Sequence, residues 1–413
     1  MPIVLYMIMI SKKEQKDTLL TILSKAAIVL INFIIVVCIA QFWGAEGKGY
    51  QAIFVANLGL IAIVTNIFTN SSISFFVRKV GASKLYAQAC IWTFISSSCG
   101  ALIFYFLPLN TADNNLFLTL LLIASLSTGY LTFHNALYIG MQKIKYYNLI
   151  TILQPFLLLI FIFLLYKIRE TTYFDYFYAH ILSFIVVILV ALFLTRKTVG
   201  KMKLQLDFSV TKQSFNYGFQ NELSNFFHFL VVRLSFYFIV YYLTEASLGI
   251  FSLGITISES IWIISRSISM VQYSKIIKEG NTQKVRKGVL TASLISFVFS
   301  LLCIVILLLL PQSVFIYIFT DEFSDIKQIV FLMSPGVLAI SFSSVYAHFF
   351  AAIGKMKILI LKSIIGAVLT LILLLLLIPL WNMNGACITT SIVHIVCSAI
   401  IVGYFIINKT SKL

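Results

Sequence analysis

Twelve apolar segments alternate along the chain with short polar stretches. A helix of roughly 20 apolar residues crosses the hydrocarbon core of a bilayer, because an α-helix rises about 1.5 Å per residue. The pattern therefore predicts an all-α polytopic membrane protein with about 12 transmembrane helices. We place the segments at 19–42, 50–77, 85–107, 116–139, 149–166, 174–194, 215–242, 248–271, 289–310, 329–350, 358–380 and 383–407.

The composition supports a membrane protein rather than a soluble one. Hydrophobic residues make up 60% of the 413 residues and charged residues only 11%, which is more apolar sequence than a soluble core can bury. A net charge of +16 would suit nucleic-acid binding in a soluble protein. Here the basic residues lie in short loops between apolar segments, so we predict no nucleic-acid partner.

The loops alternate in charge, and this alternation predicts the orientation. Of the 30 Lys and Arg residues, 22 fall in one set of alternate loops and four in the other set. Basic loops remain in the cytoplasm, so both termini are predicted to be cytoplasmic, in a multi-pass membrane protein. The N-terminal MPIVLYMIMI has neither the basic region nor the cleavage site of a signal peptide. Translation from Met7 or Met9 instead of Met1 is an open alternative.

A polar connection in the middle of the chain predicts two halves. We expect a cytoplasmic N-terminal segment at 1–18, a six-helix lobe at 19–194, a basic linker at 195–214, a second lobe at 215–407 and a cytoplasmic tail at 408–413. Six crossings per half give both halves the same orientation, so a repeat would be parallel. Gly49 and Gly249 lie in similar contexts in the two halves, and Gly140 and Gly354 do so with a slightly larger offset. These matches favour an internal duplication.

Four charges interrupt the seventh and eighth segments, where an apolar sequence is expected: Glu222, Arg233, Glu259 and Arg266. A charge near the bilayer centre costs at least ~2.5 kcal/mol, so each requires a partner or a polar cavity. Counting residues from the intervening turn places Arg233 level with Glu259, and Glu222 level with Arg266. The heights predict two ion pairs, with Asn225 on the same helix face as Glu222. The pairs either fasten the two helices together or line a polar cavity that binds an anion.

Other polar residues within the segments have simpler explanations. Lys25 is within reach of a cavity or of the membrane interface, and Lys362 is expected to snorkel to the inner surface. Each of the five histidines is interpreted as a hydrogen-bonded interior residue, and the six cysteines as small buried side chains. The histidines are His134, His180, His228, His348 and His394.

No motif for nucleotide, metal or covalent catalysis is present in the sequence. We therefore predict a transporter rather than an enzyme, with no cofactor and with H⁺ or Na⁺ as a possible coupling ion. Twelve spans in two parallel halves suit alternating access.

Three stretches resemble a known family. The first is WGAEGKGYQAIF with the following helix NLGLIAIVTNIFTNSSISFFVRK, the second is FNYGFQNELSNFFHFLVVRLSFYFIVYYLTEASLGIFSLGITISESIW, and the third is PQSVFIYIFTDEFSDIKQIVFLMSPGVLAISFSSVYAHFFAAIGKMKI. They resemble polysaccharide repeat-unit flippases of the Wzx type. These flippases belong to the multidrug/oligosaccharidyl-lipid/polysaccharide exporter (MOP) superfamily.

The resemblance implies a MATE-like fold of two six-helix lobes around a central cavity. It implies that an undecaprenyl-pyrophosphate-linked oligosaccharide, such as an O-antigen or related repeat unit, is flipped from the cytoplasmic to the periplasmic leaflet. Arg233, Arg266 and Lys25 would provide a cationic cavity, and Glu222, Glu259 and Asn225 would pair with them or couple an ion. Membrane lipid and other polysaccharide-assembly membrane proteins are the implied partners.

Two alternatives remain open at this stage. Ion-coupled drug antiporters of the same superfamily also have twelve spans. A surface-polysaccharide polymerase is a different class, but such proteins typically have one large periplasmic loop. No predicted outside loop here exceeds about twenty residues.

Overall fold

The computed structural model describes residues 12–106, 114–168, 172–200, 206–279 and 283–407, and helices account for nearly all of them. Most of the predicted N-terminal segment, the centre of the predicted linker and the predicted tail at 408–413 lie outside these residues. The helices are α1 (Lys12–Thr69), α2 (Ser71–Val80), α3 (Ala82–Phe106), α4 (Asn114–Gly140), α5 (Ile144–Ile168), α6 (Phe174–Val199), α7 (Phe208–Tyr242), α8 (Glu245–Glu279), α9 (Gln283–Leu309), α10 (Gln312–Phe319), α11 (Ile326–Ala352) and α12 (Met356–Ile407).

The described helices contain the twelve predicted crossings. Ten helical stretches are long and apolar enough to span a membrane. Two of them each contain two successive spans, because α1 leaves helical geometry at Gly44 and α12 does so at Asn382. The fold is therefore an all-helical, multi-pass membrane fold, as the hydropathy pattern predicted.

Helix α9 illustrates how these helices are arranged for lipid rather than water. Its buried face contains small and hydroxylated residues, among them Ser293, Ser296 and Ser300. Its exposed face consists of large apolar residues such as Val298 and Ile306. A soluble protein rarely exposes a continuous apolar face of this kind, whereas small residues between helices are typical of membrane proteins.

Cys99 is exposed for the same reason. Its predicted burial was wrong, because an apolar side chain in a membrane helix is also stable when it faces lipid.

A single residue separates the first two crossings, where the sequence predicted a longer loop. Gly44 has φ 63°, a left-handed value that glycine adopts without strain. The next helical turn begins at once, and the Ala45 N–H donates to the Glu322 carboxylate at 2.5 Å. The carboxylate thereby satisfies a donor at the helix start that would otherwise have no partner. Lys48 is one of the four basic residues that the sequence places in the outside loops, but it lies in this helix and is 3% exposed.

Proline is tolerated inside α11 because neighbouring groups replace the hydrogen bonding that it disrupts. Pro335 has no N–H for the carbonyl of Phe331, and the Ser334 hydroxyl donates to that carbonyl at 2.7 Å. The following N–H, of Gly336, donates to the Ser391 hydroxyl of α12 at 2.9 Å. Side-chain hydroxyls of this kind allow a proline to remain in a transmembrane helix.

The chain forms two compact units. Unit 1 contains the described residues of Met1–Trp43 and Ile53–Asn225, and unit 2 contains those of Gly44–Ala52 and Phe226–Leu413. The boundary thus falls inside α7, after the predicted start of the second lobe, and α7 already begins at Phe208. Helix α7 begins before the predicted segment because a helix continues through polar residues as long as its backbone hydrogen bonds are made.

The first aligned glycine pair, Gly49 and Gly249, forms a close helix crossing inside unit 2. A Cβ on Gly49 would lie 1.9 Å from the Glu245 carbonyl oxygen, and one on Gly249 would lie 1.8 Å from the Ala45 carbonyl oxygen. Each glycine therefore faces the carbonyl four residues before the other glycine. This reciprocal contact has the symmetry expected of two duplicated segments that cross each other.

The second offset, which aligns Gly140 with Gly354, also aligns two pairs of histidines. It matches His134 with His348 and His180 with His394. The Nδ1 atom of His134 lies 2.9 Å from the carbonyl of Tyr130, and that of His348 lies 2.8 Å from the carbonyl of Ser344. Both are contacts to the residue four positions earlier. The shared geometry supports the predicted internal duplication.

One ion pair holds the start of α7 within unit 1. The Lys84 ammonium of α3 lies 3.0 Å from the Asp207 carboxylate. Asp207 also accepts hydrogen bonds from the N–H groups of Ser209 and Val210 at 3.1 and 3.3 Å, which is the geometry of a helix N-cap. The hydrogen bond from Lys84 and those from the backbone lower the pKa of Asp207.

Candidate functional site

The first of the two predicted intramembrane ion pairs is present in unit 2. The two terminal nitrogens of Arg233 on α7 donate to the two carboxylate oxygens of Glu259 on α8 at 2.9 and 3.2 Å. The side chains are 27% and 33% exposed, so the pair is largely removed from solvent. Bidentate pairing neutralises both charges and fixes the two helices at one height.

A cavity of about 160 Å³ opens within unit 2, next to this pair. Helices α7, α8, α11 and both parts of α12 provide its walls. Five basic side chains line it, and no acidic residue is among the described residues of the lining. We call it the basic cavity and define it by Arg266, Lys362, His228, His348 and His394.

Arg266 and Lys362 are the two strong cations of the basic cavity. The Arg266 guanidinium stacks over the Trp262 ring at 4.6 Å. Its N–H groups lie in the plane of the guanidinium and point away from its edge, so the stacking leaves them accessible. Within the described residues of unit 2, neither Arg266 nor Lys362 forms an ion pair. Two uncompensated cations in one membrane-embedded cavity are costly, so the basic cavity is complementary to an anion.

The histidines of the basic cavity differ in the hydrogen bonding of their ring nitrogens. Because a carbonyl oxygen only accepts, the Nδ1 of His348 that contacts Ser344 must carry a proton. His394 is 8% exposed, and neither of its ring nitrogens has a partner among the described residues. The prediction that His394 is a hydrogen-bonded interior residue was therefore wrong. His228 lies within electrostatic range of Lys362, His394 and Arg266.

Hydroxyl groups complete the polar part of the lining. Ser343 and Ser398 share a hydrogen bond of 2.8 Å across α11 and α12. Ser344 and Ser269 share one of 2.9 Å across α11 and α8. These hydroxyls are neutral donors and acceptors close to the cations, so the wall is able to bind a ligand without adding negative charge.

A smaller cavity of about 20 Å³ lies beside the basic cavity and is lined by one member of the ion pair. Glu259 and Thr390 line it, and it shares Trp262, Ile340 and His394 with the basic cavity.

A further lysine adds to the basic surroundings of the ion pair. Lys48 lies within electrostatic range of Arg233, and its ammonium donates to Gln51 at 2.5 Å. Lys48 is therefore a second cation close to the Arg233 guanidinium.

The remaining predicted site residues lie in unit 1. Glu222 is 3% exposed, and its carboxylate accepts a hydrogen bond from the Asn225 amide at 2.9 Å. Lys25 is exposed on α1. The predicted pair of Glu222 with Arg266 joins residues of different units and stays a prediction, as does a role for Lys25 in substrate binding.

Most of the basic cavity was not predicted from the sequence. Lys362 was expected to snorkel to the inner surface, but it lines the cavity with His228 and His394. These three residues belong to three separate membrane crossings, so periodicity within one segment does not bring them together. One signal was present in the sequence: the offset that aligns Gly140 with Gly354 also aligns the histidine pairs.

Comparison with known proteins supports the fold. No protein-family model matches the chain, and no curated protein matches it. Among solved structures, it is similar to a multidrug resistance MATE family transporter of the MOP superfamily in an inward-facing conformation. The TM-score is 0.73 at 15% identity, over 92% of this chain and 93% of that one.

Two further structures show the same likeness. The lipid II flippase MurJ in an inward closed conformation has a TM-score of 0.72 at 15% identity, over 94% of this chain and 87% of that one. A MOP superfamily transporter from Pyrococcus furiosus, described as having a binding pocket of reverse polarity, has a TM-score of 0.65 at 14% identity, over 94% and 93%. The chain therefore has the MATE-like fold of MOP superfamily transporters. The narrower likeness to Wzx-type flippases remains a prediction from sequence.

Proposed function

We propose that this protein is a flippase that moves an undecaprenyl-pyrophosphate-linked oligosaccharide from the cytoplasmic to the periplasmic leaflet by alternating access. The observation that supports this proposal is the basic cavity, which Arg266 and Lys362 line and whose described lining has no acidic residue. A diphosphate head group supplies the negative charge that such a cavity lacks. The protein would act in the bacterial inner membrane with both termini in the cytoplasm.

The predicted site residues have distinct roles in this proposal. Arg266 contacts the diphosphate, and Lys25 contributes a further cation from the first half of the chain. Arg233 becomes available when its pair with Glu259 opens. Glu259 and the pair of Glu222 with Asn225 are the candidate groups for coupling to H⁺ or Na⁺. Other polysaccharide-assembly membrane proteins are the proposed partners.

A second candidate function is ion-coupled export of drugs or other small molecules. The likeness to a multidrug transporter is as strong as the likeness to the lipid II flippase, with TM-scores of 0.73 and 0.72. The fold is therefore neutral between the two functions. The charge of the basic cavity favours an anionic substrate over a cationic drug.

Deletion of the gene from a strain that makes a surface polysaccharide tests the proposal. We expect loss of surface polymer and accumulation of single lipid-linked units on the cytoplasmic side. Normal polymer in the deletion strain would contradict the flippase function, and drug hypersensitivity with intact polymer would support the antiporter. Complementation with Arg266→Ala is expected to leave export deficient while the protein still inserts.

A further inference from the structure

We infer that one face of α7 in unit 1, together with α2 packed against it, is a binding surface for the uncharged sugar units of the substrate. The α7 residues of this surface have the spacing of a single helix face and carry no charge. We call them the amide face, and they are Asn216, Tyr217, Gln220, Asn221, Ser224 and Asn225. That the sugars belong to a lipid-linked oligosaccharide rests on the proposed function, whereas the surface itself follows from the described residues of unit 1.

The first turns of α7 have three faces with different surroundings. One face is buried and consists of Ser214, Gly218 and Glu222. It packs closely, because a Cβ on Gly218 would lie 2.0 Å from the Ile67 carbonyl oxygen at the end of α1. A second face is exposed and apolar and consists of Phe215, Phe219 and Leu223. The amide face is the third, and most of its side chains are exposed as well.

The apolar face and the amide face lie at the same depth in the membrane. A hydrocarbon core takes about 20 helical residues, and counting back from the end of α7 at Tyr242 reaches Leu223. Both faces therefore extend from the edge of the core into the adjoining head-group layer. Exposed amides in hydrocarbon are costly, so two exposed faces of opposite polarity at one depth have different surroundings. The apolar face is directed at lipid, and the amide face at water.

Hydrogen bonds to the protein orient two of the amides. The amide nitrogen of Asn221 donates to the Ser71 hydroxyl of α2 at 3.3 Å and to the Tyr217 carbonyl at 3.1 Å. The amide nitrogen of Asn225 donates to the Glu222 carboxylate at 2.9 Å. Because a carbonyl or carboxylate oxygen accepts, the nitrogen of each amide is directed at the protein. The amide oxygens of Asn221 and Asn225 remain as acceptors for a ligand.

A fixed aromatic ring borders these amides. The Tyr217 ring stacks on the Phe75 ring of α2, with centroids 4.6 Å apart and planes inclined by 14°. Phe76 contacts the same tyrosine ring edge-on, with centroids 6.0 Å apart. Tyr217 nevertheless remains 37% exposed. The face of an aromatic ring carries partial negative charge and attracts the slightly positive C–H groups on the flat side of a sugar ring.

This chemistry fits a sugar better than a phosphate or a lipid head group. Sugar hydroxyls donate to amide oxygens and accept from amide N–H groups. Gln220 is exposed and offers both kinds of group, since it has no hydrogen-bond partner within the described residues of unit 1. The amide face has no cation to compensate a phosphate charge. The proposed substrate has an anionic part and an uncharged polar part, and the basic cavity and the amide face match one part each.

Photo-crosslinking in cells tests the surface with the lipid-linked repeat unit that the host strain itself makes. Gln220→p-benzoylphenylalanine is expressed in a deletion strain, irradiated, purified and digested, and its α7 peptides are analysed by mass spectrometry. We expect an adduct that contains the sugars of the strain's polymer. Phe219→p-benzoylphenylalanine is the matched control, because Phe219 is the neighbouring residue on the apolar face. It should give phospholipid adducts without sugar.

Alanine variants provide a second measurement. Tyr217→Ala and Gln220→Ala should each lower the rate of polymer export about fivefold, the effect of one stacking contact or one hydrogen bond. Tyr217→Phe keeps the ring and should export at the wild-type rate. Leu223→Ala is the control on the apolar face, and it should also leave export unchanged.

Three results would overturn the inference. The first is the absence of a sugar adduct at position 220, and at 224 in a Ser224→p-benzoylphenylalanine protein, in cells that export polymer. The second is an equal yield of sugar adducts at position 219. The third is wild-type export in both Tyr217→Ala and Gln220→Ala.

Failure of the flippase proposal gives a different result. Normal polymer in the deletion strain with an empty plasmid contradicts that proposal whatever the crosslinks show. Loss of polymer in the same strain, combined with sugar-free adducts in exporting variants, leaves the flippase proposal standing and refutes the amide face.

Discussion

Replacing Gly249 by alanine tests the helix crossing that relates the two halves of the chain. The added Cβ would lie 1.8 Å from the Ala45 carbonyl oxygen, although real Cβ atoms essentially never approach closer than 3.0 Å. The opposing atom belongs to the backbone, so no rotamer change relieves the clash. The two helices must therefore move apart at this point.

The expected loss of stability follows from two opposing terms. Alanine stabilises a helix relative to glycine by up to about 1 kcal/mol. Overpacking costs roughly 1–3 kcal/mol, and a gap of about 1 Å forfeits up to half of the dispersion energy along the crossing. Since the clash is with backbone, we expect the upper part of that range and a net destabilisation of about 2 kcal/mol.

Thermal unfolding of the purified protein in detergent measures this effect. Gly403→Ala is the matched control, because Gly403 is a helical glycine of α12 and a Cβ added to it would have no heavy atom within 4 Å. We expect Gly249→Ala to lower the Tm by a few degrees and Gly403→Ala to leave it unchanged or raise it slightly. Equal Tm values for the two variants would refute the close crossing.

The reciprocal geometry adds a prediction for the double variant. A Cβ on Gly49 would lie 1.9 Å from the Glu245 carbonyl oxygen, at the same crossing. Once the helices have separated to accommodate one methyl group, the second methyl group causes a smaller further loss of stability. Gly49→Ala with Gly249→Ala should therefore cost less than the sum of the single changes. Strict additivity would show that the two glycines act at independent contacts.

Three further predictions concern single interactions. Arg233→Ala should destabilise the protein by about 3 kcal/mol, because it leaves Glu259 without its partner. The swapped pair, Arg233→Glu with Glu259→Arg, should regain part of the lost Tm without regaining transport. A swap that restores neither the Tm nor transport would argue against the pair. Ser334→Ala should lower the free energy of unfolding by about 1 kcal/mol, because the Phe331 carbonyl loses its hydrogen bond from the Ser334 hydroxyl. A change below about 0.3 kcal/mol, which is near the error of such a comparison, would show that the carbonyl has another partner. Asp207→Asn should lower the Tm relative to the wild type above about pH 4, and the difference should disappear as pH falls through the depressed pKa of Asp207; a difference independent of pH would show that charge on Asp207 contributes nothing.

The sequence predicted the membrane crossings because their cause is local. A run of about twenty apolar residues forms a helix in lipid whatever lies beside it. Counting residues from a turn also placed Arg233 level with Glu259, and the structure joins them at 2.9 Å. Both inferences need only the rise of a helix and the position of one turn.

The remaining features depend on contacts between distant parts of the chain. The first turn was predicted as a loop because nothing near Gly44 indicates that Glu322, far along the chain, satisfies the new helix start. Lys48 was placed outside the membrane for the same reason. The basic cavity combines residues of four helices, and its lysine was explained by snorkelling because the sequence shows depth but not direction.

The two interpretations left open for the intramembrane charges apply to different residues. Arg233 forms a bidentate contact with Glu259 and fits the interpretation of a fastener between α7 and α8. Arg266 has no acidic partner among the described residues of unit 2, lines a cavity and fits the interpretation of a ligand-binding cation.

The duplication supports this division. By the offset that aligns Gly49 with Gly249, Arg233 and Arg266 align with Phe33 and Asn66, so neither charge is required by the fold that the halves share. Glu259 neutralises the first of these charges, and no described residue of unit 2 neutralises the second. A charge that the fold does not require, and that no neighbour neutralises, is best explained by what binds to it.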